Sequence, residues 1–153
     1  MAHVLTYALE FRGEAAAGEH ALVKRASATP CSHVTRIGDT GVESGFVYDD
    51  GGQEAFLESR LCLNGNGSFT EAGAVDFGHG HELHVRTVDP GRLRPSADDD
   101  LRHGTAVLEV VGGTGQFEGA SGRISSNFVV SDTGDLTDNQ LGLIFLQPSV
   151  SLS

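Results

Sequence analysis

The placement of glycine constrains this chain more than any other feature. Its 21 glycines are not gathered into a linker. They fall in turn-like groups between short runs rich in β-branched and aromatic residues. Asn64-Gly65-Asn66-Gly67 is the strongest turn signal. Asp49-Asp50-Gly51-Gly52, the Gly78/Gly80 bend and Asp132-Thr133-Gly134-Asp135 punctuate the rest. Between them, residues 3–11, 42–48, 54–63, 68–77, 81–88, 104–111, 121–131 and 136–147 read as strands, with 20–27 as a shorter one. Segments 42–48 and 54–63 are expected to pair around Asp49–Gly52, and 68–77 with 81–88. Residues 13–19 read as a small-residue loop or short helical turn, and 28–41 and 89–103 as loops. No stretch sustains a 3.6-residue period, which argues against parallel α/β. About eight short antiparallel strands with tight connections predict an all-β barrel or sandwich.

The chain has 153 residues, the size of one domain able to bury a core without disulfides. We read it as a single domain over 1–153. The net charge of −11 opposes phosphate backbones and anionic headgroups, so neither nucleic acid nor membrane is an expected partner. Cys31 and Cys62 make no disulfide framework. The first residues lack a basic, then apolar, signal pattern, and no apolar run approaches a membrane span, which together predict a cytoplasmic protein.

The run Gly112-Gly113-Thr114-Gly115-Gln116-Phe117-Glu118-Gly119-Ala120 invites a phosphate-loop reading. It lacks the lysine of a P-loop, and Glu118 stands where a dinucleotide fingerprint needs glycine. Strands flank it, so a strand-to-strand turn is expected. Asp39-Thr40-Gly41 and Asp132-Thr133-Gly134 mimic the paired triplets of aspartic proteases, but both sit at turn positions. His79 and His81 have metal-compatible spacing, with Glu82 and His84 nearby; an exposed polar strand end explains them equally. No metal and no cofactor are expected. Asp98-Asp99-Asp100 lacks the spaced ligands of a calcium loop.

Two polar pairs have i, i+2 spacing: Glu10 with Arg12, and Glu58 with Arg60. Each pair shares one strand face. Facing outward they are solvated surface; facing an apolar cavity they are candidate acid–base groups. The terminal run Leu141-Gly142-Leu143-Ile144-Phe145-Leu146 is apolar on both faces, which predicts that its outer face is covered by a loop or another subunit, and favours a homo-oligomer.

The C-terminal third resembles the allene oxide cyclase and dirigent families. The carrying residues are Leu108–Gly122, LEVVGGTGQFEGASG, followed by Asp132-Thr133-Gly134-Asp135 and the apolar last strand. The resemblance implies a closed eight-stranded antiparallel barrel with a central cavity. It also implies a cofactor-independent isomerase or cyclase guiding ring closure of an apolar, polyene-like molecule. In the cyclases the first strand carries Glu and, two residues on, Asn; Glu10 matches and Arg12 replaces the Asn. The cyclase cysteine falls near Phe46 in this register, so Cys62 does not inherit its role. These departures argue against allene oxide cyclisation itself. The Arg-rich, Lys-poor composition (nine Arg, and Lys24 as the one lysine) looks like that of a GC-rich bacterial genome, and the resemblance then implies a bacterial barrel of the kind that includes cyclases of secondary metabolism, among them cycloaddition types. On this reading Glu10 is the general acid/base or polarising group, and Arg12 positions it or binds a carbonyl or carboxylate. Phe46, Tyr48, Phe56, Glu58, Arg60, Cys62, Phe128 and Phe145 line the cavity. The alternative is a non-catalytic ligand-binding barrel, lipocalin-like or dirigent-like; a structural or interaction module is a third reading.

Overall fold

The computed structural model describes residues 3–148. Eleven strands run in chain order: β1 (His3–Gly18), β2 (Ala21–Ala28), β3 (Cys31–Gly38), β4 (Gly41–Tyr48), β5 (Ala55–Leu63), β6 (Ser68–Asp76), β7 (Glu82–Thr87), β8 (Gly91–Pro95), β9 (Leu101–Thr114), β10 (Ser121–Ser131) and β11 (Asp135–Leu146). A single 3-10 turn, Gly115–Phe117, links β9 to β10.

Pairing proceeds β10-β11-β1-β2-β5-β6-β7-β9, and β9 pairs back to β10. The sheet therefore closes into an antiparallel eight-stranded barrel. β8 continues the path of β7: both run antiparallel to β6 and to β9, so together they make one stave. Closure removes the free sheet edges that an open sheet of this size would expose.

Period-2 alternation decides what faces in. Leu9, Phe11 and Ala15 on β1, Leu57 and Leu61 on β5, Phe69 and Val75 on β6, and Ile124, Phe128 and Val130 on β10 are all buried. Each large apolar side chain taken from water contributes about 1.5–3 kcal/mol. An eight-stranded barrel is just wide enough for side chains to fill or for one small ligand.

The structure corrects three local expectations. Of residues 13–19, all but Glu19 continue β1 instead of looping, because Arg12–Gly18 ladder onto β2; pairing overrides the weak strand propensity of Glu14-Ala15-Ala16-Ala17. Within 28–41, Cys31–Gly38 form β3, which folds back onto β4 across the two-residue turn Asp39-Thr40. Segment 42–48 thus pairs backward with β3, and β5 pairs with β2. The base of this hairpin is closed by the Asp49 N–H donating to the Pro30 carbonyl at 2.8 Å. Finally, 89–103 contains β8 and the first turns of β9's ladder. The other turns fall where glycine placed them.

The glycine-rich run closes one end of the barrel. β9 bulges there: Val85 pairs with Val110 while His84 pairs with Gly112. A Cβ on Gly113 would collide with the Glu82 carbonyl oxygen and with Phe117. Thr114 Oγ1 donates to the Gly80 carbonyl at 2.8 Å and the Gln116 N–H to His81 Nδ1 at 2.9 Å, tying the run to the β6–β7 bend. Phe117 then plugs into the core.

Candidate functional site

Seven polar side chains share the inward phase of the barrel. Lys24 alternates with Leu22 and Ala26 on β2, Glu71 with Phe69 and Val75 on β6, and Asp138 and Gln140 with Leu136 and Ile144 on β11. Ser59 on β5 and Ser126 on β10 are buried likewise. Tyr7 follows the inward phase of β1 and packs against the core.

Lys24, Glu71 and Asp138 form one cluster with fully buried side chains. Lys24 Nζ donates to Asp138 Oδ2 at 2.9 Å and lies 3.2 Å from Glu71 Oε2. It also sits 3.7 Å above the centroid of the Phe128 ring, a cation–π contact that desolvation strengthens. Phe128 can lie there because Gly104, opposite it on β9, has no Cβ to strike the ring. All four carboxylate oxygens are occupied: Lys24 Nζ also donates to Glu71 Oε1 at 3.4 Å, Ser59 Oγ donates to Glu71 Oε2 at 2.6 Å, Ser126 Oγ to Asp138 Oδ1 at 2.7 Å, and Gln140 Nε2 to Asp138 Oδ2 at 3.2 Å. One ammonium and two carboxyl groups thus join β2, β5, β6, β10 and β11 through the barrel interior. Buried charges are tolerable only when paired and hydrogen-bonded in this way.

Two polar atoms beside this cluster are buried without a hydrogen-bond partner among the described residues: Tyr7 Oη and Gln140 Oε1. Gln140 pairs with Leu9, two residues along β1 from Tyr7, on the same inner face. The Tyr7 ring meets Phe77 edge-on at 5.6 Å, and Phe77 packs on Phe117 at 5.3 Å. Burial, and then the charge of Asp138, push the Tyr7 phenol well above its ordinary range. It is therefore held as a proton-bearing donor. A phenol O–H and an amide oxygen, both unpaired on one apolar inner face, suit a molecule with one oxygen function.

The residues expected to line the cavity lie elsewhere, with one exception. Phe128 is inward and fully buried. Phe56, Glu58, Arg60 and Cys62 take the outward phase of β5, because Ala55, Leu57, Ser59 and Leu61 take the inward one. Phe145 is outward on β11, and Phe46 and Tyr48 stand on the β3–β4 hairpin outside the barrel. Glu10 and Arg12 also point outward from β1. They pair with each other, Arg12 Nε donating to Glu10 Oε1. The Glu10 side chain is nevertheless only 9% exposed, being near the hairpin base, where burial and then its charge push the Cys31 thiol up. Arg12, Phe56 and Glu58 do meet, in an open groove of about 820 Å³ on the outer wall, beside Arg25 and Asp76.

The other candidates have structural partners. His81 receives the Gln116 N–H, and His84 Nε2 lies 3.2 Å from Glu82. Among the described residues no group of three or more His, Cys, Asp or Glu is placed to hold a metal ion. Asp39 and Asp132 lie in separate turns, at the hairpin tip and between β10 and β11.

Fold and site together define a closed antiparallel barrel with a charged, hydrogen-bonded core. No protein-family model, curated protein or solved structure matches the chain.

Proposed function

We propose that this barrel is a cofactor-independent isomerase or cyclase acting on an apolar, polyene-like small molecule that carries one oxygen function. The observation behind this reading is the pair of unpartnered interior atoms, Tyr7 Oη and Gln140 Oε1, on one apolar face. The molecule's chain would rest against Leu5, Leu9 and Phe77, and its oxygen would meet Tyr7. A buried phenol that keeps its proton polarises a carbonyl or protonates a developing alkoxide or enolate. Gln140 would accept from a hydroxyl and is itself oriented by Asp138. Holding a flexible chain in a reactive fold supplies up to ~7–11 kcal/mol of the barrier. Glu10 and Arg12, facing outward, have no part in this chemistry. The resemblance to the cyclase and dirigent families supports a ring-closing role in bacterial secondary metabolism.

Ring closure or isomerisation conserves mass, which gives a clean test. Conjugated trienols and trienones incubated with the protein should return a product of unchanged mass whose ultraviolet absorbance has fallen as conjugation is lost. Tyr7→Phe should slow its formation by about 10²-fold, the scale of a lost acid catalyst. A non-catalytic carrier or guide would use the same two interior atoms; the side-chain-filled middle of the barrel, where Phe11, Phe69 and Phe128 are fully buried, favours a structural or interaction module instead. Binding with quantitative return of unchanged ligand supports the carrier. Absence of both binding and conversion across the series overturns the small-molecule reading.

A further inference from the structure

We infer that the β3–β4 hairpin and the outer wall made by β1 and β11 form a self-complementary interface that a second copy of this chain occupies. This inference does not depend on what the barrel binds.

The hairpin pairs only with itself. A lone two-stranded ribbon is marginal in water unless a face is packed, and this one exposes the side chains that would pack. Ile37 is 83% exposed and Val42, directly opposite it, 70%. The strand wall beside its base has the same defect. Val4 on β1 pairs with Phe145 on β11, Thr6 with Leu143 and Ala8 with Leu141, and Leu141 and Phe145 are 55% and 40% exposed on the outer face. Inward, Ile144 and Leu146 are buried, so β11 is apolar on both sides.

Hairpin and wall are adjacent: His33 near the hairpin base lines one cleft with Ala8, Asn139 and Leu141. Along β11 no charged residue follows Asp138 as far as Pro148. In a chain of net charge −11, that uncharged strip is where two copies approach with least repulsion. Ile37, Val42, Phe46 and Tyr48 share one face of the hairpin, Leu141, Leu143 and Phe145 share the outer face of β11, and all seven are exposed. A twofold arrangement uses one patch on both copies, each hairpin lying on the other's wall. The occupant is therefore a second copy, not a lipid surface or a basic partner.

Light scattering after size exclusion, on the full chain at micromolar concentration, should give twice the 16.0 kDa chain mass. Ile37→Glu, on the hairpin, and Leu143→Glu, on the wall, should each return it to a single chain. Both sites are solvent-facing in one copy, so unchanged far-ultraviolet circular dichroism will show that the fold persists. A Cys pair, Ile37→Cys with Leu143→Cys in a background carrying Cys31→Ser and Cys62→Ser, should cross-link between chains on oxidation. Any other native mass, or a dimer that persists when either residue is charged, overturns the inference.

Discussion

Lys24 Nζ lies 2.9 Å from Asp138 Oδ2, and water reaches neither side chain. These residues are 114 positions apart, on β2 and β11. Both strands pair with β1, so the contact exists because the two chain-distant strands flank β1, and the ion pair reaches over β1 on the inner face.

Breaking the pair from one side should be costly. Lys24→Met leaves Asp138 and Glu71 buried without their cation, and should lower unfolding free energy by about 3–5 kcal/mol. The triple variant Lys24→Met, Glu71→Leu, Asp138→Leu should lose far less than the sum of its single changes, since apolar replacement of a whole buried ionic group is often neutral. Urea unfolding of the single and triple variants measures this directly.

Tyr7 gives the protein an alkaline weakness. Its folded pKa is raised, by burial and then by Asp138, so the unfolded state releases this proton first as pH rises. Stability is therefore unaffected below the ordinary phenol value of about 10 and falls above it. Tyr7→Phe should be neutral or slightly stabilising at pH 7, because it removes an unpaired buried hydroxyl. Its advantage over the wild type should widen above pH ~10 in denaturation series run across that range.

Cys31 should react slowly. Burial and the nearby Glu10 charge raise its thiol, and the thiolate is the nucleophile. Peptide-mapped alkylation by iodoacetamide at pH 8 should be slower at Cys31 than for a free thiol. Glu10→Gln should speed it severalfold by removing the repelling charge. An unchanged rate in that variant would separate Glu10 from the thiol.

Backbone approach at the glycine-rich run should be visible in stability. Gly113→Ala drives a methyl into the Glu82 carbonyl and Phe117 and should cost about 2–4 kcal/mol. Gly45→Ala, on the hairpin with nothing within 4 Å of the added carbon, should stay within about 0.5 kcal/mol of wild type. Thermal melts of the two variants compare them.

The charged cluster is written in the period-2 alternation of the sequence. Lys24 sits in Leu22-x-Lys24-x-Ala26-x-Ala28, Glu71 in Phe69-x-Glu71-x-Gly73-x-Val75, and Asp138 in Leu136-x-Asp138-x-Gln140-x-Gly142-x-Ile144. Each polar residue shares a phase with apolar neighbours, and Lys24 is the one lysine of the chain. The i, i+2 opposite charges of Glu10/Arg12 and Glu58/Arg60 are more conspicuous in the sequence, yet both pairs face outward. Such pairing is what an outer face makes cheaply in water. The same phase argument assigns Leu57 and Leu61 to the inside, and hence Phe56 and Cys62 to the outside.

Turn chemistry and period-2 patterning act over two to six residues, so the sequence alone determined the all-β class, most strand positions and the turns at Asn64–Gly67 and Asp132–Asp135. Those signals carry no information about which strand meets which. Long-range pairing decided that β1 would meet β11, that β5 would meet β2 past the β3–β4 hairpin, and that β7 would meet β9. The same pairings made the glycine-rich run a buttress for the β6–β7 bend and brought Lys24, Glu71 and Asp138 together on the inner face. Pairing partners far apart in the chain are chosen by shared burial and satisfied hydrogen bonds, which are properties of the closed barrel and not of any segment.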